Sequence, residues 1–280
     1  MRLTNLHTHT TYCDGSCGVE VMIQSAIKKN FKSIGISSHG PVPFDTSWNI
    51  DRGRIENYIE EVSAMKVKYK NEIDVFLGME LDYIPEIGFG HILEGLTDKL
   101  DYYIGSVHFL GTMKNGTMWT VDYSSDELVA GIDDSFNGNV RSAVESYYGL
   151  ISEMAERYRP TVIGHVDLIK KTNKNNAIFN EHEDWYINAV EKCLDSIKSS
   201  GSAIEINTGA IARGYTKEQY PSTHILRTVK EKGIPITINS DAHTAEGIDC
   251  KLAEMYVLAI STGFKSVRCL GSNGWVDEEI

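Results

Sequence analysis

Residues 33–39 read SIGISSH, a short run of small and apolar residues that ends on a histidine. The same arrangement recurs on both sides of it, because short apolar runs alternate with segments whose apolar residues have helical spacing. Helical spacing is clearest over residues 55–69 and 140–155. Strands that alternate with helices favour a parallel sheet covered by helices. The predicted strands cover residues 3–9, 33–38, 73–80, 101–108, 161–165, 203–207, 235–240 and 266–269.

Seven or eight strand–helix units of this kind suit an α/β barrel better than a small open sheet, and such barrels use about 250 residues. The chain has 280 residues, of which 41% are hydrophobic, so one large core is feasible. No low-complexity linker divides the sequence. The polar stretch 124–139 is predicted as a surface excursion, and residues 1–280 as a single domain.

Charge and composition exclude several classes of protein. The net charge of −12 argues against a nucleic-acid partner, which would require a basic face. No segment approaches about 18 consecutive apolar residues, and no apolar leader is visible, so we expect neither a membrane span nor a signal peptide. Five cysteines without a disulfide pattern predict free thiols and a cytoplasmic location. Cys13 and Cys17 lie near two histidines, but one such pair is weak evidence for a metal site.

Histidines and acidic residues gather at the carboxyl ends of the predicted strands. His7 and His9 lie two apart in a strand and therefore share a face, while Asp14 follows in a turn with Gly15. The others that end or directly follow strands are His39, Glu80, His108, His165, Asp241 and His243. Since these strand ends meet at one mouth of a parallel barrel, we expect one shared site.

A single histidine near a strand end is usually a structural, hydrogen-bonded residue. Six of nine histidines in this position favour a metal site, whereas His91, His182 and His224 lack the pattern and are interpreted as structural. Imidazole and carboxylate ligands suit zinc, manganese or iron better than calcium or magnesium. Nine ligands exceed the needs of one ion, and Glu80 is the candidate for a carboxylate that bridges two.

Three divalent ions with three carboxylates would leave the site with a charge of about +3, which suits a phosphate dianion and a hydroxide. Bound metals lower the pKa of water and hold the attacked group. A metal-dependent hydrolase is therefore the predicted class, and a phosphate ester the predicted small-molecule substrate.

At these residues the sequence resembles the polymerase and histidinol phosphatase (PHP) family. The matching motifs are His7-Thr8-His9, Asp14-Gly15, His39, Glu80, SVH at 106–108, GHVDL at 164–168 and SDAH at 240–243. Within the family the likeness is to the histidinol-phosphatase type, through SSHGPVPF, GMELDYIP, YIGSVHFLG, VIGHVDLIKK and NTGAIARGYTKEQYPS. Ser38 precedes His39, where many family members have aspartate.

This resemblance implies a distorted (β/α)7 barrel, similar to a TIM barrel, with three divalent metal ions. One metal would be held by His7, His9, Glu80 and Asp241. A second would be held by Glu80, His108 and His165, and a third by Asp14, His39 and His243. The implied reaction is hydrolysis of L-histidinol phosphate to L-histidinol and phosphate, a step of histidine biosynthesis.

The hypothesis for the reaction is in-line attack on phosphorus by a hydroxide that bridges two metals. Arg213 is the candidate cation for the phosphate oxygens, although a solvated loop arginine is an equal alternative. A proton for the leaving alkoxide would come from the end of the site that holds Asp241 or His243. Candidates for recognition of the histidinol part, which nothing ranks, are Glu205, Asp82, Tyr83, Trp119 and Tyr215.

Three other functions stay open. The first is another PHP-family phosphoesterase acting on nucleotides or small phosphate esters. The second is an amidohydrolase that cleaves C–N bonds, but those enzymes bridge two metals with a strand lysine, and Lys170 and Lys171 fall beyond the strand end. The third is a metal-binding protein without enzymatic activity.

Overall fold

The computed structural model describes residues 3–89 and 93–280. His91, for which the sequence predicts a structural role, lies outside these residues. Helices alternate with strands as expected. In the described part of the chain the helices are Val19–Lys28 (α1), Ile55–Tyr69 (α2), Leu93–Leu96 (α3), Ser125–Phe136 (α4), Val140–Tyr158 (α5), Asp184–Ser200 (α6), Gly209–Ala212 (α7), Thr223–Lys232 (α8) and Leu252–Thr262 (α9).

Most strands are shorter than the apolar runs that predicted them. The strands are Thr4–Asn5 (β1), Ser33–Ile36 (β2), Asp74–Leu77 (β3), Glu80–Asp82 (β4), Ile104–Ser106 (β5), Phe109–Thr112 (β6), Met118–Thr120 (β7), Val162–Ile163 (β8), Ala203–Asn207 (β9), Ile236–Asn239 (β10), Ser266–Gly271 (β11) and Gly274–Glu279 (β12). Because these strands end early, irregular backbone follows them. Most of the predicted site residues lie in these irregular segments.

The longest helix, α5, shows why the outer layer forms. Its apolar residues recur at helical spacing and are buried against the strands and α6, and Asn139 caps its start by accepting a hydrogen bond from the Ser142 backbone N–H at 3.0 Å. Its end is marked by Arg159 in the left-handed conformation, with φ of 47°. Such one-sided helices cover the sheets and exclude water from the core.

The strands form two parallel sheets, one in the order β1-β2-β3 and one in the order β10-β9-β8-β5-β4. The α/β class with parallel sheets is therefore confirmed. The predicted strand over residues 73–80 is divided, because β3 pairs with β2 whereas β4 pairs with β5 in the other sheet. One apolar run thus serves two sheets.

A closed barrel, which the sequence and the resemblance favour, is not seen among the described residues. The two sheets meet at two isolated bridges, one between Thr8 and Ala242 and one between His39 and Glu80. At these two places the hydrogen-bonded ladder is reduced to single bridges, so the two sheets do not join into one.

Two further elements differ from the sequence-based expectation. Residues 124–139, expected to be a surface excursion, contain α4, whose first turn is capped by Ser124 through a bond from the Glu127 backbone N–H at 3.1 Å. The last predicted strand is one arm of an antiparallel hairpin, β11–β12. Between residues 3–89 and 93–280, no helix combines the length and apolar character needed to cross a membrane.

Candidate metal centre and active site

All nine predicted site residues lie together at the carboxyl ends of the parallel strands. His7 and His9 flank the bridge at Thr8, and Asp14 lies in the loop that follows. The remaining six follow β2, begin β4, or lie directly beyond β5, β8 and β10; they are His39, Glu80, His108, His165, Asp241 and His243. Except for Asp14, which is about one-third exposed, their side chains are mostly or fully buried.

Glu80 lies at the centre of this cluster, and its two oxygens face different histidines. Oε2 lies 3.1 Å from His7 Nε2 and 3.0 Å from His39 Nδ1. Oε1 lies 2.9 Å from His165 Nε2 and 3.8 Å from His108 Nε2. A carboxylate with donor groups on both sides has the geometry of a bridging ligand.

Asp241 and Asp14 extend the cluster on the side of Oε2. Asp241 Oδ1 lies 3.0 Å from His9 Nε2 and 3.8 Å from His7 Nε2. Asp14 Oδ2 lies 3.2 Å from His243 Nε2. Asp241 thereby lies beside both histidines that follow β1, and Asp14 lies beside His243.

Three groups of donor atoms are close enough to share an ion, with all atoms of a group within 4.8 Å of one another. The groups are His9, Asp14, His39 and His243; His7, His9 and Asp241; and His39, Glu80 and His108. They overlap with the ligand sets expected from the resemblance, but His9 also joins the group of Asp14, and His39 also joins that of Glu80. His9 and His39 therefore lie between neighbouring groups. Glu80 is absent from the group of His7, and His165 belongs to none of the three.

The donor set fits divalent metal ions. His9 Nε2 and His39 Nδ1 are buried and find no hydrogen-bond partner among the described residues, although each is 3.0 Å from a carboxylate oxygen. Such buried polar atoms are costly unless something binds them. Ligand atoms about 2.1 Å from one tetrahedral ion lie roughly 3–4 Å apart, which is the spacing observed here.

A further carboxylate, Glu205, lies on the far side of His7 from Glu80. It is fully buried, and its Oε2 lies 2.9 Å from His7 Nδ1, on the side of the ring away from Glu80. From the sequence, Glu205 is a candidate only for substrate recognition. The signal that could have found it is an acidic residue in a strand otherwise expected to be buried, with Asn207 on the same face.

Asp82 has the same relation to His108. Its Oδ1 lies 2.5 Å from His108 Nδ1, and its Oδ2 accepts a hydrogen bond from Asn49 Nδ2 at 3.1 Å. Asp82 also follows Glu80 by two positions and so shares its face of the strand. Of the other residues considered for substrate recognition, Tyr83 and Trp119 are buried, and Trp119 donates to Ser135.

The environment of these groups shifts their pKa values in different directions. Burial lowers the pKa of His39 to about 3 and, with the nearby His243, that of His9 to about 4. Burial opposes a charge on His108, but Asp82 outweighs it and raises that pKa to about 10. Burial likewise opposes ionisation of Glu80, yet the surrounding histidines hold its pKa well below the usual range. Neutral imidazoles and ionised carboxylates are the forms that bind metals. His9, His39 and Glu80 already have these forms. His108 would instead release a proton when an ion binds, as would His7, where burial opposes the charge but Glu205 and Glu80 outweigh it and raise the pKa.

The cluster forms one wall of a cleft of about 550 Å³. Arg213 lies in its lining, with Nη2 3.2 Å from Asp241 Oδ2 and Nη1 3.0 Å from His243 Nδ1. The structure therefore brings Arg213 to the site, one-third exposed toward the cleft. A cation at this position can contact an anion that enters the cleft.

The cleft is also lined by an ion pair that the sequence did not predict. Lys171 Nζ is 2.8 Å from Asp122 Oδ2 and 4.7 Å from the centre of the Tyr215 ring. Trp48 lies edge-on to His39, with ring centres 4.7 Å apart. The cleft thus offers both charges and aromatic faces beside the donor groups.

The cysteines do not join the donor groups. All five are free thiols. Cys13 Sγ lies 3.5 Å from His9 Nδ1, but burial raises the pKa of its thiol to about 11. A protonated thiol is a poor ligand. His182 and His224 also lie outside these groups, facing each other with ring centres 5.7 Å apart.

Comparisons with known proteins show which family the chain belongs to. The family model described as the PHP domain matches residues 5–209. A protein of Bacillus subtilis named histidinol-phosphatase is 29% identical over 259 residues, which cover 85% of this chain and 92% of that protein. The crystal structure of histidinol phosphate phosphatase from Lactococcus lactis, in complex with zinc, L-histidinol and phosphate, superimposes with a TM-score of 0.76 at 18% identity, over 98% of each chain. Since the family model covers most of the chain, the protein belongs to the PHP domain family.

Proposed function

We propose that this protein is a metal-dependent phosphatase that hydrolyses L-histidinol phosphate to L-histidinol and phosphate. The observation that carries the proposal is the cluster around Glu80, where histidines face both carboxylate oxygens at the wall of a cleft lined by Arg213. The name of the Bacillus subtilis relative supports the choice of substrate.

The proposed ligands divide into three sets. His7, His9, Glu80 and Asp241 would hold one ion, while Glu80, His108 and His165 would hold a second. Asp14, His39 and His243 would hold a third. Zinc, manganese and iron all suit these donors. When bound, the ions supply Lewis acidity and a water activated for attack on phosphorus.

The residues of the chain then bind and orient the substrate. Arg213 donates hydrogen bonds to the phosphate oxygens from the side of Asp241 and His243. As proposed ligands, Asp241 and His243 would carry no proton for the leaving alkoxide, so that proton would come from water at the same end of the cleft. Trp48 and Tyr215 provide aromatic faces for the imidazole of histidinol.

We also propose a barrel fold for the chain and a cytoplasmic location in the cell. The parallel strand order and the bridges at the two seams support a distorted seven-stranded barrel, if β3 and β4 count as one interrupted strand. Free cysteines suit a reducing compartment, which supports the cytoplasmic prediction.

The test is a steady-state assay after the purified protein has been loaded with zinc or manganese. L-histidinol phosphate is compared with nucleoside monophosphates and an aryl phosphate. We expect L-histidinol phosphate to have the highest kcat/KM. Faster turnover of a nucleotide would instead support another phosphoesterase of the family, and absence of phosphate release from any substrate would contradict the proposal.

The structure offers less support for the amidohydrolase alternative. Lys170 lies 2.8 Å from Asp167, and Lys171 pairs with Asp122, so neither takes the place between metals that a bridging lysine would need. Glu80, whose two oxygens face different histidines, is the better candidate for that role. A hydantoin or an N-acyl amino acid included in the same assay tests this alternative.

A further inference from the structure

Glu205 is a buried carboxylate that contacts the candidate metal centre without joining its donor groups. Its two oxygens are surrounded by nitrogen atoms. Oε1 accepts hydrogen bonds from the His165 backbone N–H at 2.9 Å and from Asn207 Nδ2 at 2.7 Å. Oε2 accepts from Asn239 Nδ2 at 3.0 Å. His7 Nδ1 lies between the two oxygens, 2.9 Å from Oε2 and 3.1 Å from Oε1.

These four nitrogen groups use the whole accepting capacity of the carboxylate, which has about four lone-pair sites. Glu205 therefore has no lone pair left for an ion. The backbone N–H of His165 can only donate a hydrogen bond, and the side-chain amides of Asn207 and Asn239 also direct their nitrogen atoms at Glu205. Nδ1 of His7 must consequently carry its proton toward Glu205, and Nε2 is directed at Glu80 Oε2, 3.1 Å away.

The Glu205 carboxylate contacts one histidine on each side of Glu80. His7 lies on the side of Oε2, and His165, whose backbone Glu205 holds, has Nε2 2.9 Å from Oε1. One buried group thereby contacts two histidines that face opposite oxygens of the central carboxylate. Partners of this kind orient metal-binding histidines and raise their affinity for the ion.

We propose that Glu205 is a positioning residue that orients His7 and His165 on opposite sides of Glu80 and thereby sets the affinity of the centre for its metal ions. This inference rests on the metal centre of the proposed function, and not on the identity of the substrate. Glu205 touches neither the substrate nor the ions.

The test is Glu205→Gln, because the amide keeps the shape but replaces one acceptor oxygen with a donor nitrogen. That nitrogen must face either His7 or one of the other three donors. If it faces His7, Nδ1 has to accept, so the ring proton moves to Nε2 and blocks the ion. We expect zinc affinity, measured by competition with a chromophoric chelator, to fall 10- to 100-fold.

The matched control is Asp167→Asn, which alters another fully buried carboxylate. Asp167 accepts from the Ser222 backbone N–H and pairs with Lys170, each at 2.8 Å, and it lies outside the donor groups. We expect its zinc affinity to stay within about threefold of the wild type. Equal losses of zinc affinity in Glu205→Gln and Asp167→Asn would mean that Glu205 has only a structural role, and would overturn the proposal.

A second measurement determines directly which ring nitrogen of His7 is protonated. In the zinc-loaded protein, two-bond proton–nitrogen NMR correlations show which ring nitrogen of His7 carries a proton, with His7→Asn used for assignment. We expect a protonated Nδ1 in the wild type and loss of that pattern in Glu205→Gln. An unchanged pattern together with unchanged zinc affinity would contradict the proposal.

If Glu205→Gln does not fold, Glu205→Asp replaces it in the zinc titration. The shorter side chain keeps the charge but cannot reach His7 and the His165 backbone together, so we expect about tenfold weaker binding. Wild-type affinity in this variant would overturn the proposal. Because no titration contains substrate, a wild type that binds zinc but does not cleave L-histidinol phosphate would contradict the proposed substrate alone.

Discussion

At the scale of single residues, the same type of side chain has different roles because its partners differ. Glu80 faces only the histidines of the cluster and the Ser106 hydroxyl, which donates to Oε1 at 2.6 Å. Glu205 and Asp82 instead contact the far nitrogens of His7 and His108. A buried carboxylate can therefore be a ligand candidate or a positioning group, depending on which ring nitrogen it meets.

Arg213 is the residue whose role is easiest to test by substitution. In Arg213→Met we expect KM for L-histidinol phosphate to rise tenfold or more, since a charge-assisted hydrogen bond contributes about 1.5–3 kcal/mol. The metal content should not change, because Arg213 is not among the donor groups. Steady-state kinetics and metal analysis of the same preparation measure both quantities.

Arg141→Met is the control for this substitution. Arg141 lies on the exposed face of α5, where it pairs with Glu145 at 2.9 Å. Its KM should equal that of the wild type. If KM of Arg213→Met were also unchanged, Arg213 would be a solvated loop arginine and not a phosphate-binding residue.

At the scale of elements, irregular segments between strands and helices build the cleft. The hairpin of β6 and β7 directly follows His108, and the Val121 backbone N–H donates to the His108 carbonyl oxygen at 2.9 Å. Helix α4 packs on this hairpin through Trp119, whose indole N–H donates to Ser135 Oγ at 2.9 Å. The packing of α4 therefore holds the backbone on one side of the cleft.

Gly131 makes this packing possible, because a Cβ atom there would lie only 2.1 Å from Trp119 Cδ2. In Gly131→Ala we expect the helix or the indole to shift, at a cost of about 1–3 kcal/mol in the free energy of unfolding. Urea denaturation measures this change. The control is Gly149→Ala in α5, where a Cβ would meet nothing within 4 Å.

The two substitutions should not change the free energy of unfolding in the same direction. Gly149→Ala should leave stability unchanged or raise it by about 0.5–1 kcal/mol, because alanine favours a helix more than glycine does. Wild-type stability in Gly131→Ala would mean that α4 can move away from the hairpin without loss.

At the scale of the whole molecule, an acidic chain concentrates ionisable groups in its interior. Burial keeps His9 and His39 neutral in the folded protein, with pKa values of about 4 and 3. The unfolded chain protonates the same imidazoles near pH 6.5. Below that pH the unfolded state therefore binds more protons than the folded state, and the stability of the metal-free protein depends on pH.

We expect the metal-free protein to lose stability as the pH falls from about 6.5 toward 4. The loss should amount to as much as about 1.4 kcal/mol per pH unit for each of the two imidazoles. The free energy of unfolding in urea, measured without metal at about pH 6 and about pH 5, tests this. Nearer neutral pH, His108 opposes the loss, because its raised pKa keeps it charged in the folded protein. His39→Asn should reduce the slope, and equal stability at the two pH values in the wild type would contradict the expectation.

Local sequence was sufficient to predict where the candidate ligands lie along the chain. Apolar runs predict strands, and the position of His39, His108 or His165 at the end of a run is visible without any tertiary contact. The alternation of strands with helices likewise predicted the parallel sheets. These features depend on periodicity over a few residues, which each segment carries by itself.

Tertiary structure decided which of these atoms meet. Glu80 faces different histidines with its two oxygens, His9 and His39 lie between groups, and Glu205 lies behind His7, all through contacts between segments far apart in sequence. The division of residues 73–80 between two sheets is also a matter of strand pairing. Periodicity shows which face a side chain is on, but its partners depend on long-range pairing and on rotamers, which only the folded chain specifies.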